Sequence, residues 1–186
     1  MHPVDPPASP WHAGERQLQQ RAGVAERMEA FGRKVIRDHM PEQHRDFYRQ
    51  LPFVLFASVD AEGRPWAGIL EGAPGFAHSP EPRRLQLDSP FQVEDPAAAG
   101  LSAGAAIGLL GIELHTRRRN RLNGHIRQFD KQATSIAVDQ AFGNCPQYIQ
   151  LRQFEFSRNP ASTPPPPAEQ LNGLDDAARL PSGWST

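Results

Sequence analysis

The chain has 186 residues and a mass of 20.6 kDa, with 20 basic and 21 acidic residues and a formal net charge of −1. That balance excludes whole-molecule attraction to nucleic acid or to an anionic membrane, so any anion site must be local. Glycine and proline, 15 and 19 residues, exceed their ordinary share, but ten of the prolines fall in residues 1–10 and 160–186, leaving a segment of ordinary composition long enough to bury a core unaided.

Residues Met1 to Pro10 carry neither a basic leader nor an apolar run, and the longest apolar run, Ala105 to Ile112, is far too short to span a bilayer. The single cysteine, Cys145, cannot form an internal disulfide, and no Cys/His cluster has zinc spacing. A soluble, cytoplasmic protein without a metal or a membrane partner is expected. Leu18, Ala22, Ala25, Met28, Phe31 and Val35 recur at three- and four-residue spacing over 13–37, which predicts one amphipathic helix, weakened at Gly23. A second helix should open at Pro41, present Phe47, Tyr48 and Leu51, and stop before Pro52.

The period then changes. Phe53–Val59 and Pro65–Glu71 read as strands joined by a loop over 60–64 with Gly63 available for a left-handed position. Arg84–Asp88 alternates, and Ala106–Leu114 is a continuous apolar run suited to a strand buried on both faces. Between them Asp95-Pro96 signals an N-cap and a short helix that Gly104 can close. From Arg119 the alternation sets Arg119, Arg121, Asn123, His125 and Arg127 against Leu122, Gly124 and Ile126; Thr134–Gln140 and Gln147–Phe156 complete the strands. This pattern predicts a mainly β, α+β fold, an antiparallel barrel or sandwich with N-terminal helices and one short inserted helix. The expected boundaries are a disordered proline-rich N-terminus over 1–10, a folded domain over 11–156 and a proline-rich C-terminal tail over 157–186.

Several motifs bear on chemistry. Gly100-Leu101-Ser102-Ala103-Gly104 matches the nucleophile elbow by letter, but the elbow needs a strand before the serine and a helix after it, and here the order is reversed. The run His115 to Arg121 holds four arginines in five residues and enters a strand, so alternation should point Arg117, Arg119 and Arg121 together. Guanidinium forks suit phosphate or the negative charge of a reduced cofactor ring, and the lack of stacking aromatics within the run favours a small anionic ligand over nucleic acid. Cys145 has no activating partner nearby in sequence and reads as a packing residue; His115 and His125 read as surface or hydrogen-bonding residues.

In this order, Phe53-Val54-Leu55-Phe56-Ala57-Ser58-Val59-Asp60, Gly63-Arg64-Pro65-Trp66, Gly108-Leu109-Leu110-Gly111-Ile112-Glu113, Arg118-Arg119-Asn120-Arg121-Leu122-Asn123-Gly124 and Asn144-Cys145-Pro146-Gln147-Tyr148-Ile149 resemble the flavin-binding split-barrel family related to pyridoxamine 5'-phosphate oxidase; Trp11-His12-Ala13-Gly14-Glu15 resembles the N-terminal signature of one branch. The resemblance covers roughly 11–156. It implies a six-stranded Greek-key split barrel, a homodimer, and FMN between the protomers serving hydride or electron transfer to a small redox partner. It places Trp66, Ala67, Gly68 and Ile69 beside the flavin, Arg119 at its ring, Asn144, Gln147 and Tyr148 along the facing edge, and Ser89 where the oxidases begin a Ser-Arg-Lys phosphate cluster. The basic residues of that cluster are missing here. Arg117 or Arg121 supplies the phosphate contact instead, or the helix at Pro96 does, or flavin binding is weak. The vitamin B6 substrate residues have no match. The other reading of the resemblance is a non-catalytic module that binds or sequesters flavin or haem.

Overall fold

The computed structural model describes residues 9–159 except 93, 131 and 146, together with Gly173. The expected proline-rich tail therefore lies almost wholly outside the described residues. Three α-helices precede the sheet: α1 (Ala13–Arg21), α2 (Ala25–Val35) and α3 (Glu42–Arg49). The single helix expected over 13–37 is broken in two at Gly23, whose φ of 69° lies in the left-handed region that a side chain would resist. His12 caps α1: its Nδ1 accepts from the Gly14 and Glu15 amides, and the Glu15 carboxylate accepts from the His12 amide at 3.0 Å.

Seven strands follow: β1 (Phe53–Val59), β2 (Pro65–Glu71), β3 (Ala77–Glu81), β4 (Arg84–Leu87), β5 (Ala106–Glu113), β6 (Arg118–Phe129) and β7 (Thr134–Asn144). They form one antiparallel sheet in the order β2-β1-β5-β6-β7-β4-β3, consistent with an α+β split barrel. Two elements differ from the sequence reading. β3 escaped notice because its five residues, Ala-His-Ser-Pro-Glu, carry neither a clear alternation nor β-branched side chains. The strand expected over Gln147–Phe156 does not form; β7 runs on to Asn144, and the chain then crosses the strand ends as an irregular segment held to Leu114 by the Arg152 amide.

One face of the sheet carries the core. Val54, Phe56, Leu70, Ile107, Leu109, Leu122, Ile126, Ile136 and Val138 all lie on it, and α3 closes one end with Phe47, Tyr48 and Leu51. The Phe47 and Leu51 side chains fill the space that a Cβ on Gly111 would take. The other end is closed by a 3-10 turn, Pro96–Ala98, where Ala97 is buried and accepts a 2.5 Å hydrogen bond from Ser58. Here a short helix was expected, and three residues form; Asp95 caps them as predicted. The Gly100–Gly104 segment is a loop leading into β5, with no helix after Ser102.

Candidate cofactor-binding site

The register sorts the arginine run. Leu122 and Ile126 are buried on the core face, so Arg119, Arg121, Asn123 and His125 project from the outer face of β6, as alternation predicted. Arg117 does not share that alternation: it precedes β6 in the β5–β6 turn, with a φ of 62°. Neighbouring strands extend the outer face into cross-strand rows. One row reads Ile69, Leu55, Leu110, Arg121, Phe142; beside it lies Ala67, Ala57, Gly108, Asn123, Gln140. On the far side Ile112 is opposite Arg119, and Arg119 opposite Asn144.

The outer face is a shallow apolar plate with a polar border. Ile69 is 64% exposed and Val59 55%, while Leu55, Leu110, Ile112 and Phe142 are half-buried. β5 was expected to be buried on both faces; in the single chain only Ile107, Leu109, Gly111 and Glu113 are buried, and the alternate residues Gly108, Leu110 and Ile112 are partly open. At the border, Asn123 Nδ2 donates to Gln140 Oε1 at 3.0 Å, and the Gln140 amide donates to the Pro10 carbonyl at 3.1 Å. Arg119 donates through Nη2 to the Cys145 carbonyl, while its Nε and the Oδ1 of Asn144 are buried without a hydrogen-bond partner among the described residues.

The proposed site residues thus divide. Ala67, Ile69, Arg119, Arg121 and Asn144 share the outer face. Trp66 and Gly68 alternate to the other face: Trp66 donates its indole N–H to Asp60 at 2.8 Å under the Arg64 guanidinium, and Gly68 lies against the Phe56 ring and Asp95. Ser89 donates to the Glu71 carbonyl at 2.8 Å, tying down the end of β2. Gln147 and Tyr148 are exposed in the irregular segment, Tyr148 with a φ of 69°. Cys145, read as a packing residue, is an exposed free thiol because β7 ends one residue before it. The sequence reading missed Leu55, Leu110 and Phe142, which join the site only through strand register, and it missed the Asn123–Gln140 pair for the same reason.

Two surroundings complete the picture. A small pocket adjoins the Arg119 end of the plate, lined by Phe53, Ile112, Leu114, His115 and Phe154, with the buried Glu113 carboxylate on its wall. Glu113 accepts from Gln50 and from the Thr116 hydroxyl. His125 pairs with Asp139 at 2.5 Å, a surface contact. Among the described residues no group of His, Cys, Asp and Glu is arranged to hold a metal ion, and no helix is long and apolar enough to cross a membrane.

An antiparallel α+β sheet consistent with a split barrel, bearing an open apolar plate edged by arginine and amide groups, defines the class of protein. The pyridoxamine 5'-phosphate oxidase family model matches residues 40–163, and the chain belongs to that family. The match begins after α1 and α2. No curated protein matches the chain significantly. Among solved structures it resembles HupZ of Group A Streptococcus (13% identity over 61% of this chain and 100% of the other, TM-score 0.44). It also resembles a Lactobacillus delbrueckii protein proposed to be a pyridoxamine 5'-phosphate oxidase (15% identity, 57% and 95%, TM-score 0.45). A third resemblance is to the heme storage protein HutZ of Vibrio cholerae (10% identity, 56% and 94%, TM-score 0.39).

Proposed function

We propose that this chain is an FMN-binding, oxidoreductase-like split barrel that works as a homodimer in the cytoplasm, with the flavin held on the outer face of β2, β1, β5, β6 and β7 under a second copy. The observation that carries the reading is the half-open apolar plate ending at Arg119 and Asn144, whose Nε and Oδ1 are buried and unpartnered among the described residues. Buried polar atoms of this kind call for a partner that the lone chain does not provide. A planar heterocycle with both donors and acceptors on its edge fits them, and a second protomer covers Leu55, Leu110 and Ile69.

In this arrangement Ala67, Ile69 and Arg121 floor the site, Arg119 and Asn144 meet the ring edge, and Gln147 and Tyr148 close it from the irregular segment. The flavin supplies the redox chemistry. Arg119 contributes a fixed positive charge in a partly dry groove, which favours an anionic reduced ring. The phosphate is the weaker fit. Ser89 is spent on Glu71, and the 3-10 turn has only three residues, with its Ala97 amide taken by Asp95 at 2.9 Å. Arg121 on the plate and Arg117 in the adjoining turn are the candidates that remain.

The test is the colour of the purified protein and its titration with FMN. Flavin absorption, or quenching of added FMN fluorescence, is expected, and Arg119→Ala should weaken retention about tenfold or more, the equivalent of roughly 1.5–3 kcal/mol for a hydrogen bond to a charged group. A colourless protein that leaves FMN fluorescence unchanged overturns the reading. So does haem uptake with a Soret band and no flavin binding.

A further inference from the structure

The pocket at the Arg119 end of the plate is a separate cavity, and the flavin reading makes no use of it. One side is the link from α3 into β1, Leu51 to Phe53, and the other is the end of β5 with its turn, Ile112 to His115. Phe154 of the irregular segment covers it. That segment is tied on both sides of Phe154: the Arg152 amide donates to the Leu114 carbonyl at 3.3 Å, and Arg158 pairs with Glu71. The enclosed space is about 80 Å³. A water molecule needs roughly 10–15 Å³ on this measure and benzene occupies a cavity of roughly 150 Å³, so the pocket takes a short chain of heavy atoms and excludes a ring cofactor.

We infer that this cavity binds a short-chain alkylammonium ion, its head on the Glu113 carboxylate and its chain between Phe53 and Phe154. Two observations carry this. The first is charge. Glu113 is 5% exposed, and its hydrogen-bond partners are neutral: Gln50 donates to Oε1 and the Thr116 hydroxyl to Oε2. Arg118, opposite it in register, sets its guanidinium over the Phe47 ring, 5.1 Å from the centroid, and among the described residues no Arg or Lys lies within ion-pair distance of Glu113. His115 faces it from the exposed side, with Nε2 3.9 Å from Oε1. Each carboxylate oxygen therefore keeps a lone pair for a further donor, and a buried carboxylate gains most from one that is charged. The second is the rest of the wall. Phe53, Ile112, Leu114 and Phe154 suit an alkyl chain, and the two rings attract a cation through their faces. Calcium or magnesium would need more oxygen ligands than one carboxylate supplies, and an anion is repelled by it.

The experiment uses the full chain without added flavin. n-Butylammonium chloride is titrated at constant ionic strength against sodium chloride, with saturation-transfer NMR of the butyl protons and the thermal midpoint as readouts, and 1-butanol serves as the neutral isostere. Saturable binding of n-butylammonium is expected, with at least tenfold weaker binding of 1-butanol. Glu113→Gln, which keeps an acceptor for Gln50 and Thr116, should weaken n-butylammonium at least tenfold. Phe154→Ala, at a half-exposed position that leaves the core intact, should weaken it by a similar factor even if the Glu113 variant does not fold. Absence of saturable binding to the wild type overturns the proposal, as does 1-butanol binding equally well or unchanged affinity in Phe154→Ala. The inference stands apart from the flavin reading: a colourless protein that binds n-butylammonium removes the flavin alone, and Arg119→Ala should leave n-butylammonium binding unchanged.

Discussion

Asp60 shows how much one buried carboxylate can organise. It accepts from the Glu62 and Arg64 amides, the Arg64 Nε and the Trp66 indole at 2.7–3.0 Å, so the β1–β2 loop is built around its charge. The Trp66 hydrogen bond first, then those from Arg64, pull its pKa down to about 2 from the ordinary carboxylate value of 3.8. A depressed carboxylate stabilises the fold at pH above the unfolded value, and that contribution is lost as pH falls from about 3.8 towards 2. Acid unfolding followed by tryptophan fluorescence should therefore show a step in that window for the wild type that Asp60→Asn lacks. Gly68 is a different kind of constraint. A Cβ there would sit 2.6 Å from the Phe56 ring and 2.9 Å from Asp95, so Gly68→Ala should cost about 1–3 kcal/mol in urea unfolding by overpacking. Loss of stability at Gly68 with unaltered flavin affinity would separate its packing from any cofactor contact.

At the level of elements, α3 closes the core and α1–α2 does not. Phe47, Tyr48 and Leu51 are buried, and the Tyr48 hydroxyl donates to the Asn120 carbonyl at 3.0 Å while burial keeps the phenol protonated well above its ordinary range. Phe47→Ala should cost about 3–5 kcal/mol by chemical denaturation, since it empties the space beside Gly111 and strips the stacking surface from Arg118. α1 has no buried residue, and Leu18 and Phe31 are 63% and 54% exposed. The pair is held together by the Trp11 indole, which donates to the Met28 carbonyl at 3.0 Å and lies against Gly32. The helical period over 13–37 was plain in the sequence. Its exposed apolar side was not, because periodicity marks a face without saying what covers it.

For the whole molecule, the outer face is the feature that the single chain leaves unfinished. A strand as uniformly apolar as β5 is expected where both faces are covered, yet here one of its faces is half-open. The proposed dimer accounts for this. Ile69→Arg, at the β2 edge of the plate, should shift the protein from dimer to monomer by light scattering while leaving its far-ultraviolet circular dichroism unchanged. A monomeric wild type would overturn the dimer, and an Ile69→Arg protein that remains dimeric would send the interface elsewhere.

Most local structure was legible in the sequence: the β1–β2 hairpin, the capped turn at Asp95, the alternation of β6, and motifs in the order of the family to which the chain belongs. Short-range sterics, capping hydrogen bonds and the two-residue period of a strand determine these, and all act between near neighbours. Which residues meet was decided by the tertiary structure alone. Register across five strands set Ile69, Leu55, Leu110, Arg121 and Phe142 in one line and turned Trp66 and Gly68 away from it. The packing of α3 carried Phe47 to Arg118, 71 positions along the chain. Such contacts depend on long-range pairing and on what a buried group lacks, and neither is written in the spacing of residues along the chain.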